Sequence, residues 1–292
     1  MRPDFRILLA LALVAASPAV PGAALASDEG ATSPALRDRD GGIRTSMFGT
    51  YVNRGELLIY PFYEHYRDKD LQYSPNEYGG VGSQDFKGRY RANEGLIFLG
   101  YGVTDRLAIE FEAAVISATF DKDPADASGT PARIEESGLG DVEGQITYRW
   151  TKEDERRPEV FSYFEAVSPQ NKSKLLIGTP DWELKFGSGI LRGFTFGTLT
   201  GRVAVEYVRE STSPWDLGEW AFEYFRRVPS GWGFYAGFEG QATDEVSFVG
   251  EVQRRLGSRA TLKLNSSVGL TENSTDFAPE VGIMFRLPTG RK

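Results

Sequence analysis

The sequence of 292 residues predicts an all-β fold, a closed antiparallel transmembrane β-barrel of about twelve strands. Three observations carry the prediction. From Gly55 to Leu287, segments of roughly ten residues alternate apolar and polar positions between turn residues, the signature of strands with one apolar face. The connections between them alternate short and long. The five tryptophans fall at expected strand ends, where the interfacial girdles of a barrel lie. Lipid is the sink that so many apolar faces require, and the mean hydropathy of −0.34 does not oppose it, because a barrel hides only half of each strand in lipid.

The elements follow in chain order. Arg2 and Arg6 precede an apolar run from Ile7 to Ala16, and Ala24-Leu25-Ala26 before Ser27 is a small-residue cleavage site, so residues 1–26 read as a secretory signal peptide. The run is shorter than the roughly 20 residues of a spanning helix. Loss of this segment moves the net charge from −8 to −9, and nothing in the charge pattern points to nucleic acid. Residues 27–52 are polar and contain Gly41-Gly42, which predicts a flexible periplasmic leader; residues 53–292 form the barrel. Its strands are expected at 55–66, 89–103, 105–119, 140–151, 157–168, 182–192, 194–209, 217–228, 231–241, 244–256, 258–271 and 276–287. Cysteine is absent, which fits an exported chain stabilised by a closed ladder.

The turns 103–106, 151–158, 192–193, 228–231 and 256–259 are mostly tight and read as periplasmic. The longer segments 68–87, 121–139 and 168–181 face outside, which puts both chain ends in the periplasm. Trp150 and Trp232 then sit at periplasmic ends, and Trp182, Trp215 and Trp220 at outer ends, all five at the membrane interface. Leu107, Ile109, Phe111 and Val115 in one strand, and Trp220, Phe222 and Tyr224 in another, offer faces to acyl chains. The first two strands show no clean phase.

The last strand, Glu280-Val281-Gly282-Ile283-Met284-Phe285-Arg286-Leu287, resembles the terminal signal read by the outer-membrane assembly machinery, with the departure that Pro288 to Lys292 follow it. The run Gly138-Leu139-Gly140-Asp141-Val142 resembles the strand opening of outer-membrane barrel transporters grouped with the meta-pathway of phenol degradation. That resemblance implies an uptake barrel in the bacterial outer membrane. The residues themselves suggest glycines that allow a tight approach out of a loop and an Asp141 that bonds turn amides.

Charges on the opposite phase point into the lumen. The inward candidates are Glu110, Glu112, Glu143, Glu159, Glu165, Glu183, Glu206, Glu219, Glu223, Glu239, Glu251 and Glu280, against Arg149, Lys185, Arg202, Arg227, Arg255, Lys263 and Arg286. They form either a neutralising network that fills the interior or the lining of a conducting pore. Twelve carboxylates against seven cations would favour passage of cations, with Glu219 and Glu223 among the carriers of that preference.

An enzyme would have to recruit His65, the single histidine, and no Gly-x-Ser-x-Gly elbow accompanies it; His65 reads as a lumen or rim residue. Asp121, Asp123 and Asp126 depart from calcium-loop spacing and read as a solvated outer loop. Arg67 with Lys69 raises a lipopolysaccharide phosphate site against the same bland reading. No catalytic, metal or cofactor site is expected. The function expected is a passive channel for small, aromatic or hydrophobic molecules, with a structural or surface-interaction barrel of plugged lumen as the alternative.

Overall fold

The computed structural model describes residues 36–209, 214–242 and 244–289, so the expected signal segment lies outside the described residues. Two short strands come first, β1 (Ile43–Arg44) and β2 (Tyr51–Val52), paired only with each other. Twelve long strands follow: β3 (Glu56–Tyr73), β4 (Phe86–Gly102), β5 (Leu107–Asp121), β6 (Arg133–Thr151), β7 (Glu159–Ser168), β8 (Glu183–Phe194), β9 (Gly197–Val208), β10 (Trp215–Val228), β11 (Trp232–Gln241), β12 (Glu245–Arg255), β13 (Ala260–Gly269) and β14 (Phe277–Pro288). Each pairs antiparallel with its sequence neighbours, and β14 pairs with β3, running from Phe277 opposite Arg67 to Pro288 opposite Glu56. The ring has no free edge, as lipid requires.

Alternation along each strand assigns the two faces. Exposed Ile97, Phe111, Ile146, Phe186, Phe222 and Phe238 form part of an outward apolar belt that would be untenable in water. A closed barrel with this belt is an outer-membrane barrel. Trp150, Trp182, Trp215 and Trp232 are well exposed near strand ends, and the Trp220 indole N–H donates to the Ala242 carbonyl at 3.1 Å.

Two expected boundaries fall short. β3 runs on to Tyr73 and β6 begins at Arg133, so the segments 68–73 and 133–139 are strand where loop was expected. Above the membrane both faces of a strand meet water, and the apolar alternation that marks a strand disappears. Gly138 and Gly140 accordingly lie within β6 and not in a loop exit. The register shifts between Ala113 and Val115, and a Cβ on Gly140 would sit 2.6 Å from the Ile116 side chain.

Residues 36–52 overturn the expectation of a flexible leader, because they lie packed within the barrel's periplasmic half. Ile43, Met47 and Val52 bury against Leu58, Tyr60, Phe62, Phe98, Ala108 and Met284. Tyr51 and Phe48 pack on Phe161, Tyr163, Phe225 and Tyr235. The missing phase of the first two strands has its cause here. Inward Leu58, Tyr60, Phe62 and Phe98 are apolar because they face the inserted segment, so both faces of β3 and β4 are apolar.

Phe111 is 41% exposed on the outward face, and its neighbour Glu112 points inward opposite Glu143. Phe111→Arg should therefore cost roughly 2 to 4 kcal/mol of bilayer folding near the midplane. Glu112→Arg should cost clearly less, and equilibrium refolding into vesicles compares the two.

Candidate functional site

The barrel interior holds three layers: a plug at the periplasmic end, a charged middle and an inserted outer loop. The plug is residues 36–54, a backbone that turns on Gly49 at φ +56° and is fixed by buried ion pairs. Arg39 pairs with Glu153 and, at 3.4 Å, with Glu159, which also takes Arg149 at 3.2 Å. Arg44 pairs with Glu223. Glu110 accepts the Ser46 amide at 2.6 Å together with Gln145 and Thr147, and Lys263 donates to the Phe48 carbonyl at 2.6 Å while holding Glu251 at 3.2 Å. Asp38 accepts the Arg227 amide at 2.9 Å. Asp40 gathers Arg227 at 2.6 Å, Arg286 at 3.2 Å and Arg255 at 3.8 Å. Where the plug joins β3, Gly102 leaves the room it needs, since a Cβ there would meet the Asn53 carbonyl at 2.0 Å.

The middle layer is asymmetric. On β7 to β10, Lys185 lies between Glu165 at 3.1 Å and Glu219 at 2.7 Å, and Arg202 contacts Glu219 at 3.1 Å and Glu223 at 3.9 Å. The Gln241 amide donates to Glu206 at 3.2 Å. Across the ring, Glu64 stands directly opposite both Glu94 and Glu280, and Glu112 stands opposite Glu143. Like charges in register destabilise a sheet. Among the described residues, Glu64, Glu94, Glu112, Glu143 and Glu239 have no cation within 4.0 Å, so each must either be hydrated or give up its charge. Glu219 and Glu223, expected to carry a cation preference, are instead engaged by Lys185, Arg202 and Arg44.

Fourteen of the nineteen charged residues expected to point inward divide by partner. Arg149, Glu223, Glu251, Lys263, Glu110, Arg227 and Arg286 contact the plug or a plug-holding pair, whereas Glu165, Lys185, Arg202 and Glu219 form the ladder across the wall. Glu112 and Glu143 belong to the uncompensated arc, and Glu206 accepts from a neutral amide. Arg39 and Arg44 went unnoticed in the sequence, because a polar stretch of opposed charges has no period to reveal that it folds inward.

The outer layer is the segment between β7 and β8. Its Ile177 is 3% exposed and packs on Ala92 and Ala118, beside Tyr66, Tyr90, Ile116 and Leu176. Asp141 accepts the amides of Gln170 at 3.1 Å and Thr179 at 2.6 Å, and Glu136 accepts those of Leu175 and Leu176 at 2.9 and 2.8 Å. β7 ends at Ser168, so this segment takes the place of a strand partner beside the outer part of β6.

The remaining candidates resolve locally. His65 points outward, and its Nδ1 lies 3.0 Å from Asn93 Oδ1, a partner that supplies neither nucleophile nor base. Asp121 faces Arg91 and Arg133 at 3.4 and 3.5 Å. Asp123 and Asp126 accept turn amides from Ala125 and Ser128, which occupies the oxygens an ion would need.

Two outcomes test the plug. Arg44→Ala removes the plug's cation from the buried Glu223, which keeps Arg202 at 3.9 Å and the Tyr235 hydroxyl at 2.9 Å, and should weaken plug seating, read as faster hydrogen exchange at 42–52. Burial raises the Asp40 carboxyl, but Arg227 and Arg286 beside it outweigh burial and hold it below the ordinary 3.8. A carboxyl depressed by folding stabilises above its ordinary value and stops doing so as pH falls through the folded one. Exchange at 42–52 should hence rise on acidification below pH 3.8, and less so in Asp40→Asn.

No protein-family model and no curated protein matches the sequence. Among solved structures, an outer membrane channel from Pseudomonas putida F1 is similar with a TM-score of 0.62 at 14% identity, over 84% of this chain and 100% of that one. The translocator domain of an autotransporter from Neisseria meningitidis gives 0.44 at 9% identity, over 85% and 91% of the two chains. A toluene transporter from Ralstonia pickettii gives 0.41 at 11% identity, over 81% and 90%. The first of these likenesses carries the fold, a single-chain barrel of the outer membrane.

Proposed function

We propose that the protein is a passive outer-membrane channel for small molecules, closed at its periplasmic end by residues 36–54. The observation that carries this reading is what fills the barrel. Eight strands enclose an interior that side chains can fill, and sixteen leave an aqueous channel. Twelve leave room, and here two inserted segments take it up, held by side-chain contacts that can separate without opening the backbone ring.

A small apolar or aromatic cargo suits the outer layer, where Tyr66, Tyr90, Ile116, Leu176 and Ile177 offer an apolar surface inside an otherwise charged barrel. The resemblance of residues 138–142 to barrels grouped with phenol degradation supports the same cargo class. The alternative, a barrel permanently plugged for structural or surface-interaction purposes, draws on the number of buried ion pairs that seat residues 36–54.

Planar-bilayer recordings separate the two. The full chain should conduct weakly, and deletion of residues 36–52 should raise the conductance severalfold if the plug is the barrier. A deletion variant that folds yet stays silent would favour the structural barrel. In the deleted channel, Glu94, Glu112 and Glu143 should impose cation preference that fades over a screening length of about 10 Å at 0.1 M salt. Their joint replacement by Gln should shift the reversal potential toward zero. Anion preference would remove these carboxylates from the pore lining.

A further inference from the structure

The outward face of the barrel changes character at one height on one side. Along β3 the outward residues run Leu57, Ile59, Pro61, Tyr63, then His65 and Arg67. The rise from Leu57 to Arg67, at about 3.3 Å per residue and a tilt near 40°, is about 25 Å, the height of the apolar band of such barrels. Arg67 therefore stands where outer-leaflet headgroups begin. In register with it across β4, β5 and β6 lie Arg91, Thr119 and Glu135. The row beneath is His65, Asn93, Ser117 and Ser137, small polar groups that mark the same boundary. Arg89, one outward position above Arg91, stands in register with Asp121. At outer ends elsewhere around the ring the chain places Trp182 and Trp215 instead.

Toward β14 the patch is flanked by the carboxylates of Asp68, Asp70 and Asp276, and Asp276 accepts the Lys69 amide at 3.1 Å, but none of the three pairs with Arg67, Arg89 or Arg91. Arg67 and Arg91 are directly opposed on neighbouring strands, an arrangement that destabilises the sheet unless an anion lies between them. Arg91 has Asp121 at 3.4 Å, but Asp121 is shared with Arg133, and Arg133 also takes Glu135. Arg67, Lys69 and Arg89 are exposed and form no ion pair with any described residue. This clustering occurs in a chain of net charge −8 and thus does not follow from bulk composition.

We propose that Arg67, Arg89 and Arg91, with Lys69, seat the phosphate groups of an outer-leaflet lipid A headgroup on the outside of β3 to β5. The guanidinium forks suit bidentate phosphate contacts, and the Thr119 hydroxyl adds a donor at the same level. The acyl chains of that lipid would run down the belt of Ile97, Ile109 and Phe111.

The test uses the full chain folded in detergent and freed of bound lipid, with native mass spectrometry as readout. The probes are diphosphoryl lipid A, the same lipid with both phosphates removed, and inorganic phosphate at equal concentration. The wild type should retain diphosphoryl lipid A and lose it when the phosphates are removed, and inorganic phosphate should not displace it. Arg67→Gln/Arg89→Gln/Arg91→Gln should bind about tenfold or more weakly, and the periplasmic control Arg156→Gln/Arg157→Gln should bind as wild type. Should the triple variant fail to fold, Arg67→Gln alone, at an exposed position, decides by the same comparison. Equal binding by the variants, binding indifferent to the lipid's phosphates, or displacement by inorganic phosphate would each overturn the proposal.

Discussion

A sheet in lipid must satisfy every backbone group within itself, and in this chain that requirement is met by pairing β14 with β3. Closure fixes the number of strands around the ring, and the number of strands fixes the interior volume. The volume then has to be hydrated or filled. Each notable feature of the inside answers that need: the plug in the periplasmic half, the charged middle and the inserted segment between β7 and β8.

The filling is polar in its attachments and apolar in its body. Residues 43–52 bury a small core against inward Leu58, Tyr60 and Phe98 on one side and Phe161, Phe225 and Tyr235 on the other. Arg39 and Arg44 each meet a buried carboxylate, and Glu110 accepts a plug amide. Removing charges from water is costly unless each finds a partner, so these pairs specify one seating of the segment more than they add net stability. The segment makes its own two-stranded pairing and leaves the ladder of the barrel intact, which allows the ring to persist whether or not the plug is seated.

The carboxylate arc on β14, β3, β4, β5 and β6 gains no comparable partners. Glu64 faces Glu94 and Glu280, and Glu112 faces Glu143, in register on neighbouring strands. A packed protein core would have replaced those acids with apolar side chains.

The sequence by itself determined the ring: twelve periodic segments, the inner and outer phases of all but the first two, and the side on which the tight turns lie. These are local consequences of a two-residue repeat meeting lipid on one side. The tertiary structure alone decided what occupies the inside. Arg39 meets Glu153 across 114 residues, and Arg44 meets Glu223 across 179, and neither partnership has a period or a neighbour in sequence to announce it. Likewise, the polar upper ends of β3 and β6 are strand only because neighbouring chains continue the ladder above the membrane. Periodicity records a one-sided environment, and where both sides of the chain are wet, or both packed, the pattern vanishes and only the assembled ring determines the conformation.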